Sequence, residues 1–294
     1  MSSAQRSDGE RARTSTGPTT RRRQLGATLS SLRDRKGLTL EEAGRLVGVS
    51  KATVSRYETK EGPVKWLVIE ALCREYGATD AERPAMVGLA KDAKLQGWWH
   101  SISDVVPEWM NLLLTLEEEA VSEDHYASVY VPGLLQTRRY AEAVHHASEI
   151  RLEHEVLDRL VDIRMKRQEI LTRTAPLHIW AVLDEAVILR VVGDREVMAE
   201  QLDHLVHCVE SPNITLQILP FSSGAHAAAV GSVALLRGAD PTLDVVYIDI
   251  LTGALFQEKP QELERYRLAI DYLRAQALDI SASVALIKKM RKEI

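Results

Sequence analysis

Twenty residues, Thr39 to Glu58 (T-L-E-E-A-G-R-L-V-G-V-S-K-A-T-V-S-R-Y-E), restrict the fold of this chain more than any other stretch. They read as two short helices joined by a tight turn. Thr39 and Glu42 have the spacing of a capping box at the first helix start. Ala43, Leu46 and Val47 fall on one face at helical spacing. Gly48 can adopt the positive φ that a helix end demands. Ser50 caps the second helix, and Val54 and Tyr57 supply its inward side. Two helices so joined form a helix-turn-helix, whose second helix suits the major groove of DNA. Within that helix Lys51 and Arg56 can donate to guanine O6 and N7. Ser50 and Thr53 are better placed for phosphate.

Charge is distributed in agreement with this. The first 75 residues hold 15 Lys and Arg against 9 Asp and Glu, a net +6; the remaining residues hold 22 against 33, a net −11. Only the N-terminal part is suited to a polyanion, so double-stranded DNA is its expected partner. At 294 residues, 45% hydrophobic and 27% charged, the chain has room for two globular domains. Cys73 and Cys208 form no disulfide framework, no apolar run is long enough to span a membrane, and the first residues lack a signal core. The expectation is a cytoplasmic protein, associated with the nucleoid when on DNA.

Residues 1–20 are nearly devoid of apolar side chains and are expected to be a disordered tail. Residues 21–93 are expected to form the DNA-binding domain. Arg21-Arg22-Arg23 precede the first helix as a phosphate or minor-groove arm, or as a solvated charge run. That helix spans about Gln24–Lys36, with Leu25, Leu29 and Leu32 inward. A fourth helix follows from Val64 to Tyr76, burying Trp66 or Leu67 with Ile69, Leu72 and Cys73. Asp80 caps a fifth, which adds Met86, Val87, Leu89 and Ala90. Five short helices of this length make an all-α bundle.

Lys91–Gly97 reads as a connection, and residues 98–294 as an effector and dimerisation domain opened by Trp98-Trp99. Helices are expected over Ser103–Val121, Glu153–Thr172, from Gly193-Asp194 to about Glu210, over Pro260–Ala277 and over Ser281–Lys292. Thr137 caps another after the Pro132-Gly133 turn. Strands are expected over His178–Leu183, Val187–Val192, Ile214–Phe221, Ser232–Arg237 and Leu243–Ile250. The whole is multidomain: a helical N-terminal domain, then an α+β domain with a small mixed sheet.

Several groups invite chemistry. His204, His207 and Cys208 are zinc-ligating types, but they project opposite the Met198, Leu202, Leu205 face and read as a solvent or partner stripe, with no fourth ligand. Asp184-Glu185 offer carboxylates and Arg164 with Arg167 could take a phosphate; ion pairing among these groups is the plainer account. A pocket lined by Arg164, Glu185 and Tyr247 would indicate a small-molecule sensor or an enzyme fused to a DNA-binding module. His226 has no neighbour at triad spacing, and neither a Walker loop nor a dinucleotide fingerprint occurs. No catalysis, metal or cofactor is expected. Leu134 and Leu135, directly after a turn, are either a docking surface or the core at a helix start.

The Thr39–Glu58 stretch resembles the phage-repressor or Xre-like helix-turn-helix family, with its lambda-repressor-like bundle. That resemblance nominates Lys51, Ala52, Ser55 and Arg56 as facing base edges. Leu40 departs from it, standing where a polar residue often holds phosphate, so that only backbone N–H groups are left there. The second domain is similar to the effector domain of actinobacterial helix-turn-helix regulators, a family of unknown function (DUF5753) related to WhiJ-type developmental and antitoxin-like regulators. The matching residues include Trp98-Trp99, Pro132-Gly133-Leu134-Leu135-Gln136-Thr137, Arg164-Met165-Lys166-Arg167-Gln168, Leu183-Asp184-Glu185, Gly193, Leu219-Pro220-Phe221, Gly224 and Tyr247. The resemblance implies a repressor or antitoxin-like regulator that forms a homodimer and binds a small partner protein encoded nearby. Partner or ligand contacts are expected among Leu134, Leu135, Gln136, Arg164, Arg167, Gln168, Glu185 and Tyr247.

Overall fold

The computed structural model describes residues 20–59, 65–80, 82–92, 106, 108–148, 153–228, 231–239 and 244–294. Residues 1–19 of the expected tail, the Lys91–Gly97 connection from residue 93 on, Trp98-Trp99, and residues 103–105 and 107 lie outside these, while Thr20 begins the first helix.

Five helices make up the N-terminal part: α1 (Thr20–Arg35), α2 (Leu40–Val47), α3 (Lys51–Glu58), α4 (Trp66–Glu75) and α5 (Glu82–Asp92). Leu25, Leu29, Leu32, Ala43, Val54, Tyr57, Ile69, Leu72, Cys73, Met86 and Ala90 meet in one core, most of them at the expected helical spacing. Three details differ. Leu46 is 52% exposed, and neither Trp66 nor Leu67 is buried, each lying outside the stripe its helix buries. The fifth helix is capped by Thr79: its hydroxyl accepts from Glu82 N (3.2 Å), and Glu82 Oε2 accepts from Thr79 N (2.7 Å). Asp80 pairs instead with Arg83.

From α6 (Glu108–Glu119) onward the chain winds a six-stranded mixed sheet in the order β3-β2-β1-β4-β5-β6. The strands are β1 (Ser122–Ala127), β2 (His178–Asp184), β3 (Ile214–Leu219), β4 (Val233–Arg237), β5 (Val245–Ile250) and β6 (Gly253–Gln257). β1, β2 and β3 run parallel, and the other pairs are antiparallel. Helices α7 (Arg138–Ser148), α8 (His154–Arg167), α9 (Glu185–Leu189), α10 (Arg195–Cys208), α11 (Pro260–Gln276) and α12 (Ile280–Glu293) complete the domain. Crossover helices are what parallel neighbours require.

Two strands were not foreseen and one expected strand is absent. Central β1, S-E-D-H-Y-A, is too polar to read as a strand. Its buried Asp124 is held by Arg237 and Arg274, and its buried Glu123 pairs with His125 at 2.8 Å. β6 is five residues long and returns through a two-residue turn, Leu251-Thr252. Val187–Val192 begins within a helix, because Asp184 Oδ1 accepts the Ala186 N–H (2.9 Å) and starts a turn that buries Val187 and Ile188.

Candidate functional site

The helix-turn-helix is built from local hydrogen bonds. Thr39 N donates to Glu42 Oε2 (2.8 Å) and Glu42 N to Thr39 Oγ1 (3.2 Å), completing the capping box of α2. Gly48 takes φ 72°, ψ 30° and ends that helix. Val49 N then donates to Gly44 O at 2.8 Å, folding the turn back onto α2. Gly44 is a requirement that the hydrophobic pattern does not announce: a Cβ there would lie 2.6 Å from Val49 O. Gly44→Ala is therefore expected to destabilise the bundle by about 1–3 kcal/mol, since the contact is with backbone and only the turn can yield. Chemical denaturation of the two proteins measures this, and equal midpoints would contradict it.

Ser50 Oγ accepts Thr53 N (3.1 Å) and meets Thr53 Oγ1 at 2.9 Å, opening α3. Val54 and Tyr57 are buried, which fixes the rotation of the helix. Lys51, Ala52 and Arg56 therefore face solvent, with Ser55 and Thr53 half-buried beside them. Arg56 Nη2 reaches Thr53 Oγ1 at 3.4 Å. Among the described residues neither Lys51 nor Arg56 has a carboxylate at ion-pairing distance, so both cations are available to an outside acceptor. The C-terminal end of α3 is clamped: Glu58, buried, receives Arg33 Nε (2.8 Å) and Nη2 (2.9 Å) and the Tyr76 hydroxyl (3.4 Å). Arg33 Nη1 also donates to Leu38 O (2.7 Å), so one guanidinium ties α1, the entry to α2 and the end of α3 together. α1 begins at Thr20, so Arg21, Arg22 and Arg23 lie in its first turn rather than ahead of it. Their side chains lie outside the description.

In the second domain the two distinctive motifs prove to be one unit. Gln168 Nε2 donates to Gly133 O (3.0 Å) and Gln136 O (2.8 Å), and Arg164 Nη1 donates to Gln136 Oε1 (2.7 Å). Arg167 gives Nε to Glu117 Oε2 at 2.9 Å and Nη2 to the other oxygen. Tyr247 on β5 is half-buried, packs at a tilt against Phe256 with ring centroids 5.4 Å apart and hydrogen-bonds Asp249. Burial and the Asp249 charge raise its hydroxyl pKa. Leu134 and Leu135 are core, not surface. Leu135 N donates to Pro132 O (2.8 Å) in a one-turn 3-10 helix, and Gln201 Nε2 holds Leu135 O (2.7 Å), which turns both leucines inward. The docking-surface reading of these two is thereby overturned.

Arg164 and Arg167 do not pair with Asp184 or Glu185. Asp184 accepts from Ala186 N and from the Tyr126 hydroxyl (3.3 Å), and Glu185 Oε2 accepts Phe221 N (2.7 Å) where β2 and β3 end. Glu185 thus stands apart from the Arg164–Tyr247 neighbourhood. His226 Nε2 lies 3.3 Å from the Tyr126 hydroxyl. Cys208 is buried in the main core, where its Sγ meets His204 Nε2 at 3.3 Å and burial pushes its thiol up to about 11. It is not part of an exposed stripe; His207 alone is fully exposed and pairs with Glu210. Among the described residues, no three His, Cys, Asp or Glu are grouped to hold a metal ion. No helix there is long and apolar enough to cross a membrane.

Comparison with known families fits this division. A helix-turn-helix domain family matches residues 24–86, and a domain of unknown function, DUF5753, matches residues 110–289. No curated protein and no solved structure matches the chain.

Proposed function

The chain belongs to the DUF5753 family, with a helix-turn-helix domain ahead of the family's own, and on that premise we propose that it is a sequence-specific regulator of transcription. The observation that carries the reading is the outward face of α3. It presents Lys51 and Arg56, without acidic partners among the described residues, on a helix whose rotation is set by Val54 and Tyr57. In this reading α3 enters the major groove, Lys51 and Arg56 read base edges, Ala52 and Ser55 pack against them, and Ser50 and Thr53 approach phosphate. The arginines at 21–23 add backbone contacts. One such helix makes few base contacts, so a homodimer spanning two half-sites supplies the specificity. The C-terminal domain would hold that dimer and receive a signal through a small partner protein, shifting the chain between DNA-competent and incompetent states. Catalysis has no part in this account.

Arg56→Ala is expected to weaken operator binding by about 1–3 kcal/mol and to relax preference at one base pair. Fluorescence anisotropy on duplexes varied one base pair at a time measures both quantities. Unchanged affinity and preference would show that α3 does not read DNA.

A further inference from the structure

A buried charge ordinarily has a counter-ion, because desolvating it alone is costly. Arg167 obeys this through Glu117. Arg164, one turn earlier on α8 and half-buried, does not. Its Nη1 is satisfied by the neutral amide of Gln136 (2.7 Å), while its Nε is buried without a hydrogen-bond partner. Among the described residues no carboxylate lies at ion-pairing distance from it. Its neighbours pull both ways: the Arg167 charge repels it, while Asp249 and Glu117 attract it from beyond contact. Burial, and then the Arg167 charge, lower its pKa to about 10, so at neutral pH it stays a cation beside a cation. His145, also buried, is driven to about 3 by burial and by these same two arginines, so it is neutral, and its Nε2 too lacks a partner. Asp249 on β5 faces the arginines from farther off and is already engaged by the Tyr247 hydroxyl. Among the described residues Arg164 thus stands with no carboxylate in contact, beside a second guanidinium and a neutral imidazole, between α8, α7 and β5.

Gly133 faces that charge without a side chain. Gly133 carries no side chain where the guanidinia converge: a Cβ there would stand 3.6 Å from Arg167 Nη1 and 3.7 Å from Arg164 Nε. Gln168 holds Gly133 O, and Gln136 holds Arg164, so the geometry is fixed before anything arrives. A guanidinium held in place with no carboxylate in contact is suited to oxyanion recognition.

We propose that the DUF5753 domain of this chain binds a small oxyanion, a carboxylate or a phosphate, at Arg164, with Gly133 leaving the space and Arg167 and Tyr247 flanking it. The bound anion supplies the charge that Arg164 lacks. This inference does not rest on the DNA-binding reading, and its test uses no DNA.

The test is a thermal-unfolding titration of the full chain with sodium phosphate and, separately, sodium acetate, at ionic strength held constant with sodium chloride. A saturable rise in the unfolding midpoint is expected with at least one anion, and which one responds tells phosphate from carboxylate. Arg164→Gln should weaken that apparent affinity about tenfold or more, the scale of one charge-assisted hydrogen bond. Gly133→Ala, which removes no hydrogen bond of the cluster, should weaken it as well, and it carries the comparison if Arg164→Gln fails to fold. General salt stabilisation would raise the midpoint of every variant alike. A rise of that kind, or no saturable rise with either anion, overturns the proposal.

Discussion

Glu58→Ala is expected to destabilise the N-terminal bundle by about 3–5 kcal/mol, the usual consequence of removing one partner of a buried ion pair. The side chains of Arg33 and Glu58 are only 13% and 6% exposed, so water cannot replace the lost carboxylate. Arg33 would be left with Leu38 O and the exposed Asp34, and the Tyr76 hydroxyl would lose its acceptor. A loss of that size is a large share of the stability of a small domain, ordinarily about 5–15 kcal/mol. Hydrogen exchange read by mass spectrometry localises the effect. Peptides from α1 and α3 should exchange far faster in the variant, while those from β2 and β3 keep their protection. Unchanged exchange in α1 and α3 would mean that the clamp carries no stability.

The second domain should respond comparably to Glu117→Ala. That change leaves Arg167 unpaired beside Arg164, two guanidinia against one another in a low-dielectric setting, with an expected loss of about 3–5 kcal/mol. The double replacement Glu117→Met with Arg167→Met removes both charges and is expected to be markedly less harmful than the single change, because no charge is then stranded. Urea denaturation of the parent chain, Glu117→Met, Arg167→Met and the double variant decides the matter. A double variant as unstable as the sum of its singles would show that packing, not charge, holds α6 to α8.

The contrast between the two domains also explains what could be read in advance. Thr39 with Glu42, Gly48 and Ser50 announce the helix-turn-helix because caps act over three or four residues. Val54, Tyr57 and the leucines of α1 follow from the same 3.6-residue period. Gly44 escaped attention because its constraint is a contact with Val49 O across the turn, not a feature of its own helix. Leu46 has the right period and is exposed, since no element among the described residues covers that side of a two-turn helix.

Beyond residue 108, tertiary partners override local preference. Strand β1 survives its acidic residues because Arg237 and Arg274 arrive from far along the chain. Val187 and Ile188 look like strand and are helical because one carboxylate, Asp184, caps the turn. The sequence marked Gln136, Arg164, Arg167, Gln168 and Tyr247 as notable. Their assembly around Gly133, and the pairing of Arg167 with Glu117 fifty residues away, required the folded chain.

The central claim is that α3 reads DNA, and enrichment of duplexes from a random-sequence pool tests it most directly. The purified full chain and its Arg56→Ala variant would each be taken through selection and sequencing. The account predicts that the full chain enriches one motif of two related half-sites, and that the variant loses base preference at matching positions in both. A pool left unenriched by the full chain, or an identical motif recovered with the variant, would contradict it.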